Sequence, residues 1–478
     1  MKLKNIMSEN LNKKDSILII GAGISGLATA YKLLKLGFNV TVIEKQKMAG
    51  GISSSIEFEG CKLDIGPHIL LLAENSEITN DIMEIVGNEN LNKVKWPWAK
   101  SYVSDRIFEK SYPLLYDIFF NFGSKYFIKS IYSIISAKMI KLFKNHKIIS
   151  AEDYFIKNYG KFLYHIWFKP YFSTQCENLS SEGIEFAKKK FHHITFKRFI
   201  VLLKRKIKII IKTDNSREGK YDLYPKFGMI DLIQKMENKI QKQNGKFIFN
   251  ADIISIKHDE KNKTIKYISE GVENNCKYDK IIYTTPISQT LKWFDKIPEK
   301  IEYQITKMKL FHSIMTFLII DTPKLFDSWV ITIYDNILKT FRISQQTYLS
   351  KDIAPKNKTI LCIEIQSLET DDMWKKIDEE ILNIIKGDLK KIGILKEEEI
   401  EKYKIIRLKN IYPITNKDEF NIQEMVDWIN SFKNEFFINA VVDAGKVDQF
   451  MKKQIQNMIS VQQECTKHFK MQNLFLKK

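Results

Sequence analysis

The sequence predicts a mixed α/β chain in which an open parallel sheet is assembled from separated stretches, with a second, α+β domain inserted between them. Three observations carry this. Residues 16–64 read as strand, glycine-rich turn, helix and strand, one βαβ unit. From about residue 96 to 212 the pattern changes to long, aromatic, helical segments. Strand-like runs then return from residue 246 onward. The 478 residues are 44% apolar and 12% aromatic, enough for a large core, which excludes wholesale disorder. A prior of roughly 150 residues per domain gives about three domains or two larger ones.

Residues 1–14 are polar and lack the apolar stretch of a secretory signal, so a flexible N-terminus is expected there. Ser16-Ile-Leu-Ile-Ile20 is a short apolar run of the kind found in buried parallel strands. Gly21-Ala-Gly23-Ile24-Ser25-Gly26 follows at once, then a helical stretch through Leu36 that Gly37 would cap. Asn39-Val-Thr-Val-Ile-Glu44 is the second strand. Residues 117–147 and 151–172 space apolar residues at helical intervals with lysines between them. Residues 213–220 read as a connection, 228–244 as a helix and 246–256 as a strand. Further strands are expected over 264–267, 280–284, 313–320, 329–334 and 359–366, with a helix over 371–390. After Arg407 a last βα-like piece covers 424–432, 436–442 and 447–460. The domain boundaries this implies are 15–100, 216–295 and 405–478 for the nucleotide-binding part, and 101–215 and 296–404 for the inserted part.

The formal charge is +19, yet only six basic residues are arginine: Arg106, Arg198, Arg205, Arg217, Arg342 and Arg407. Nucleic-acid readers use the arginine fork, and no nucleic-acid motif appears, so solvated surface lysine is favoured and no nucleic-acid partner is expected. The five cysteines are widely scattered, which argues against a zinc module or a disulfide framework and fits a reducing, cytoplasmic setting. Lysines interrupt the apolar runs before they reach the roughly 20 residues of a membrane span.

The glycine pattern carries the chemistry. A strand precedes it, a helix follows it, and Glu44 lies 18 residues beyond Gly26. Gly21 permits a tight turn, Gly23 lets a pyrophosphate approach the backbone, and Gly26 lets helix and strand pack closely. The helix N-terminus around Ile24 and Ser25 offers free N–H groups to phosphates, and Glu44 can accept hydrogen bonds from ribose hydroxyls. Downstream, Lys45 begins the run Lys-Gln-Lys-Met-Ala-Gly50-Gly51-Ile52-Ser-Ser, which adds a second glycine pair.

This combination resembles the FAD-dependent amine oxidase and protoporphyrinogen oxidase superfamily, in which the second glycine pair approaches the FAD pyrophosphate. The segment Leu63-Asp-Ile-Gly66-Pro67-His68-Ile69 looks like the loop that passes close to the isoalloxazine, and it is especially similar to that of UDP-galactopyranose mutases. Arg106-Ile-Phe with Tyr112-Pro-Leu, Tyr224-Pro-Lys-Phe-Gly228-Met, and Asp279 through Thr285-Pro286 keep the superfamily's order, as do Trp329, Phe341-Arg342-Ile343 and Tyr412-Pro413. The resemblance implies FAD as cofactor, held by Gly21, Gly23, Ile24, Ser25, Gly26, Glu44, Lys45, Gly50, Gly51, Ile52, Gly66, Pro67, His68, Ile253, Thr285 and Gly445. Two stretches depart from it: residues 438–448 carry one glycine and no arginine, and residues 171–178 lack the family's Lys-x-Trp-Gly.

His68 beside the ring is the candidate to tune it or touch substrate, the alternative being a histidine that bonds only to backbone. Arg106 and Arg342 would orient an anionic substrate, or equally form structural ion pairs. His192 and His193 are adjacent, point differently on a helix and read as a surface pair, so no metal is expected. The basic amphipathic stretch 196–212 could lie on anionic lipid or carry snorkelling lysines on an inserted-domain helix; 117–147 has the same character. The expected activity is an FAD-dependent oxidoreductase that passes hydride from a small-molecule substrate to flavin N5. The alternatives are a mutase acting on a nucleotide sugar without net redox change, and a catalytically degenerate flavin-binding subunit.

Overall fold

A computed structural model describes residues 15–70, 77–95, 99–103, 105–108, 124–143, 149–170, 179–180, 221–258, 263–308, 310–335, 337–395, 399–413, 421–432 and 435–437. In chain order, β1 (Ser16–Ile20), α1 (Ile24–Lys35) and β2 (Asn39–Ile43) form the expected βαβ unit. The hairpin β3 (Ser55–Phe58) and β4 (Cys61–Asp64) turns at Glu59 and Gly60, whose φ values of 50° and 72° give the left-handed turn that tight hairpins need. Then come α2 (Glu77–Val86), β5 (Leu91–Lys95), β6 (Ala99–Val103), β7 (Arg106–Phe108), α3 (Ser124–Phe143) and α4 (Ala151–Leu163). The return begins with β8 (Tyr221–Pro225), α5 (Met229–Lys242), β9 (Lys246–Ile248), β10 (Ala251–His258), β11 (Lys263–Ser269), β12 (Val272–Tyr278) and β13 (Lys280–Tyr283). It ends with α6 (Glu299–Lys307), β14 (Leu310–Ile320), β15 (Val330–Tyr334), β16 (Arg342–Gln345), β17 (Thr359–Ser367), α7 (Asp378–Ile392), β18 (Ile400–Pro413), α8 (Ile422–Ser431) and β19 (Glu435–Phe437).

The first sheet runs β19-β13-β1-β2-β9 and all its pairs are parallel. Numbered by their order along the chain, these strands lie 3-2-1-4-5 from one edge, the doubly wound dinucleotide-binding arrangement. Both faces must therefore be apolar, and β1 alternates accordingly. Ile17 and Ile19 pack with Leu27, Ala30 and Leu33 of α1 and Leu232, Ile233 and Met236 of α5. Leu18 and Ile20 face Tyr283, Phe437 and the α8 residues Met425, Val426 and Ile429.

The second large sheet runs β18-β14-β17-β16-β15-β6-β7. One face packs Ile314, Leu318, Ile343, Leu361 and Ile363 against Ile381, Ile385 and Leu389 of α7. The opposite face places Met315, Phe317 and Cys362 on Cys61 and Leu63 of the β3–β4 hairpin. That hairpin joins the two sheets: Lys62 N–H donates to the Ile353 carbonyl at 2.8 Å.

Several expectations shift. Residues 246–256 are two strands in two sheets, because Asn250 turns the chain with φ 52° and its N–H donates to the Gln46 carbonyl. The helix expected over 371–390 breaks at Lys376 and Ile377, where Glu380 accepts the Ile377 N–H and restarts it as α7. Arg407 lies inside β18, and the piece expected after it appears as α8 and β19, which returns the chain to the edge of the parallel sheet; residues 438–460 of that expectation are not described. The expected boundaries at 100/101 and 404/405 fall within β6 and β18, both strands of the second large sheet. The stretches 171–178, 196–212, 213–220 and 438–460, with His192, His193, Tyr112 and Gly445, lie outside the described residues.

Candidate functional site

The glycine-rich turn leaves β1 at its C-terminal end, where the strand order of the parallel sheet reverses. Gly21 has φ 103°, and a Cβ there would stand 2.8 Å from Thr284 Oγ1 and 3.1 Å from Thr285 Cγ2. The Thr284 hydroxyl ties the turns together by donating to the carbonyls of Ile20 (2.8 Å) and Gly21 (3.0 Å). At Gly26 a Cβ would fall 1.9 Å from the Gly21 carbonyl oxygen, so the helix can sit this close only with glycine. Gly23 differs: nothing lies within 4 Å of its notional Cβ, and the space beside it is open. Gly23 is also the N-cap of α1, with no side-chain cap and no acidic residue in the first turn. The N–H groups of Ile24, Ser25 and Gly26 therefore end the helix without a side-chain acceptor, and the dipole's positive end faces that space.

The second glycine pair closes on the first. Gly50 has φ 126°, its N–H donates to the Ala22 carbonyl at 2.9 Å, and it bridges Gly23 in parallel fashion. A Cβ on Gly51 would sit 3.4 Å from Gly23 Cα. Glu44 holds the floor: its carboxylate accepts the Ala22 N–H at 2.7 Å and the Gln46 N–H at 2.9 Å. Ile52 and Met48 are exposed large apolar side chains beside this turn. Lys45 projects to solvent and pairs with Asp252 at 2.8 Å. Ile253 is buried in the core at a register shift of β10, and the Thr285 hydroxyl is shared with Thr290 at 2.9 Å. A cradle of two backbone turns, an uncapped helix and one carboxylate fits a dinucleotide pyrophosphate and ribose.

The loop after β4 forms the second half of the site. Gly66 has φ 108°, and a Cβ there would lie 3.3 Å from His68 Cε1 and 3.5 Å from Met315 Cε. Pro67 separates Gly66 from His68 and fixes the backbone between them. The His68 Nδ1 is buried and has no hydrogen-bond partner among the described residues. Burial, and secondly the Arg342 charge, hold its pKa down at about 4, so the ring is neutral at pH 7.

Above this loop stands the inner face of the second large sheet. Its register aligns Met315, Glu364, Arg342 and Thr332 in one row, with Ser313 opposite Gln366 two residues along. Arg342 donates from Nε to Glu364 Oε1 at 2.9 Å and from the terminal nitrogen to Oε2 at 2.7 Å, a bidentate pair with Glu364 nearly fully buried. Arg342 and His68 thus share one space. Arg106 does not join them: it sits exposed on edge strand β7, three strands from β16, or about 14 Å at ordinary strand spacing.

Three features were not visible as site residues in the sequence. Asp64 is buried and accepts hydrogen bonds from Ser55 Oγ (2.5 Å), Tyr224 Oη (2.6 Å) and Met229 N–H (3.1 Å). It thereby fixes the loop onto the N-terminus of α5, and burial raises its pKa to about 6. Glu364 is the single charge in the apolar strand Thr-Ile-Leu-Cys-Ile-Glu-Ile-Gln-Ser, a signal that could have found it. The buried Ser313 hydroxyl and Gln366 carbonyl oxygen lack partners among the described residues and face the same side. No group of three or more His, Cys, Asp or Glu among the described residues could hold a metal.

Residues 19–85 match the family model of an NAD(P)-binding Rossmann-like domain. Over 59 residues the chain is 48% identical to a phytoene desaturase of Fusarium fujikuroi, 12% of this chain and 10% of that protein. Over 258 residues it is 29% identical to the 1-hydroxycarotenoid 3,4-desaturase of Flavobacterium sp. (strain P99-3), 50% of this chain and 51% of that one. The chain thus aligns with only about a tenth to a half of the length of these curated relatives. Among solved structures, reduced UDP-galactopyranose mutase superposes with TM-score 0.71 at 18% identity, covering 88% of this chain and 89% of that one. A protoporphyrinogen oxidase-like protein from Exiguobacterium sp. 255-15 gives 0.67 at 16%, covering 94% and 99%. A putrescine oxidase variant gives 0.61 at 14%, covering 94% and 98%. By fold the chain is therefore similar to UDP-galactopyranose mutase and to the protoporphyrinogen oxidase-like protein, and residues 19–85 match an NAD(P)-binding Rossmann-like domain.

Proposed function

We propose that this chain is an FAD-dependent oxidoreductase that takes a hydride from a carbon centre of a small organic substrate. The observation that carries the reading is the convergence of Gly23 and Gly50–Gly51 over the uncapped start of α1, with Glu44 beneath. FAD bound there would supply a two-electron acceptor at N5. The N–H groups of Ile24, Ser25 and Gly26 would hold its pyrophosphate, and the remaining lone pairs of Glu44 its ribose. Gly66 allows close approach of the loop, and neutral His68 presents a nitrogen that can donate or accept without adding charge.

The substrate side favours an uncharged molecule. Arg342 is balanced by Glu364, so the pair presents polarity without net charge, and Ser313 and Gln366 add neutral hydrogen-bonding groups. Desaturation, the reaction named for the Flavobacterium relative, removes hydride and proton from adjacent carbons and needs no anionic handle. Purified protein should be yellow, gain thermal stability with added FAD, and lose both in Gly23→Ala. Colourless protein with no FAD-dependent thermal shift would overturn the reading.

The Gly66-Pro67-His68-Ile69 loop favours a second reading, a mutase on a nucleotide sugar. Turnover seen only after dithionite reduction, with no net redox change, would support it. Oxygen consumption by the oxidised enzyme with a hydrocarbon or amine substrate would exclude it.

A further inference from the structure

Helix α3 packs the wrong way round for a soluble surface helix. Its small residues Ser130, Ser133 and Ala137 are buried against α4, where the Ser133 hydroxyl donates to the Tyr159 carbonyl at 3.0 Å. At Gly160 a Cβ would strike the Ser133 hydroxyl and carbonyl oxygens, at 2.1 and 2.2 Å, so the two helices touch backbone to backbone. The large residues point the other way. Ile128 (64% exposed), Ile131 (40%), Tyr132 (72%), Ile135 (51%) and Met139 (54%) recur at three- and four-residue steps and make one continuous outward stripe. Ordinary packing would reverse these two faces, since an apolar stripe left in water forgoes the main driving force of folding.

Charge says what covers the stripe. The helix carries lysines and no acidic residue. At 100° per residue, exposed Lys125 and Lys129 flank the stripe on one side. A second copy of this chain would bring the same cations against these, whereas an anionic bilayer complements them while its acyl region takes the isoleucines. No described helix is long and apolar enough to cross a membrane, so the helix would lie in the interface plane. The α3–α4 pair then rests on Val103 and Phe108 at the β7 edge of the second large sheet, through α4.

We infer that α3 is a membrane-interface helix that docks this protein on anionic lipid through Ile128, Ile131, Tyr132, Ile135 and Met139. The inference goes beyond the flavoenzyme reading and does not need it: flavin-free protein binds lipid equally. The test is co-sedimentation of the full chain with vesicles of phosphatidylglycerol and phosphatidylcholine, against phosphatidylcholine alone. Binding to the anionic vesicles should be stronger by about tenfold or more and should weaken in high salt. The triple variant Ile128→Ser/Ile135→Ser/Met139→Ser should lose at least about tenfold in partitioning. Its unfolding transition should match the parent's, because all three side chains are exposed. The milder Tyr132→Trp keeps the fold and reads the interface as a difference against the parent and its seven tryptophans: the added emission should shift to the blue on vesicles and be quenched by bromolipid. Three outcomes would overturn the inference: no binding by the parent chain, equal binding by the triple variant, or added emission in the Tyr132→Trp variant over the parent that is already blue-shifted without lipid. The last would mean that another part of this chain, or a second copy, covers the stripe.

Discussion

The parallel sheet and the seven-stranded sheet each contribute one half of the candidate site, and they build it from different materials. At the parallel sheet the functional surface is backbone: Gly23, Gly50 and Gly51 meet with almost no side chain between them, and the helix end supplies N–H groups. At the seven-stranded sheet the surface is side chains brought together by register, Arg342 across from Glu364 and Ser313 across from Gln366. A backbone site depends on where glycine is required. A side-chain site depends on which strands are neighbours. The first should fail sharply at single glycines, and the second should fail in pairs.

The largest effect expected is at Gly26. A methyl group 1.9 Å from the Gly21 carbonyl oxygen has no room, so Gly26→Ala should cost more than about 3 kcal/mol or abolish folding. Gly23→Ala, in the same motif, meets nothing within 4 Å and keeps an ordinary φ of −68°. Its flavin-free protein should unfold within about 0.5 kcal/mol of the parent while FAD content falls. Urea unfolding together with flavin absorbance separates the two. Equal destabilisation by both substitutions would break the distinction between a packing glycine and a cofactor glycine.

The next effect tests the paired half. Arg342→Leu leaves the buried Glu364 carboxylate without its fork and should cost about 2–4 kcal/mol, the lower part of that range reflecting the partial exposure of Arg342. Arg342→Leu/Glu364→Leu should recover much of that loss, since two apolar residues replace a balanced pair. Additive losses in chemical denaturation would show that the two act separately. Smaller again is Tyr224→Phe, which removes the 2.6 Å hydrogen bond to Asp64 and should cost about 1–2 kcal/mol in the same measurement.

The same difference in material explains what can be read in advance. The βαβ unit, its glycines and Glu44 are adjacent in sequence, and each glycine has a local reason to be glycine. The strand order 3-2-1-4-5 is not local in this way: it is set by the pairing of β13 and β19 on one side of β1 and of β9 beyond β2, from segments more than 200 residues on. Arg342 stands out because arginine is scarce in this chain, but scarcity carries no information about partners. Glu364 lies 22 residues away, and only the β16–β17 register shows that it occupies the fork. Arg106 groups with Arg342 by rarity alone, and the sheet order separates them by three strands. Asp64 is hidden for the same reason: its partners Ser55, Tyr224 and Met229 come from two distant parts of the chain.

The smallest expected effect is a cancellation between two groups at the end of β4 and on the loop after it, Asp64 and His68. Asp64 has its folded pKa raised by burial to about 6, against about 3.9 when unfolded. Between those values the folded chain holds a proton that the unfolded chain has released, so raising the pH destabilises the fold through Asp64. His68 is lowered, by burial first and Arg342 second, to about 4, against about 6.5 when unfolded. Across that window the unfolded chain holds the extra proton, so raising the pH stabilises the fold through His68. Each slope is at most about 1.4 kcal/mol per pH unit, and their signs oppose between pH 4 and 6. Flavin-free Asp64→Asn should therefore gain stability relative to the parent as pH rises through this window, and His68→Gln should lose it. Urea unfolding at several pH values from about 4.5 to 6 measures both. Parallel pH profiles for the parent and both variants would mean that neither group titrates across the join between the hairpin and the seven-stranded sheet.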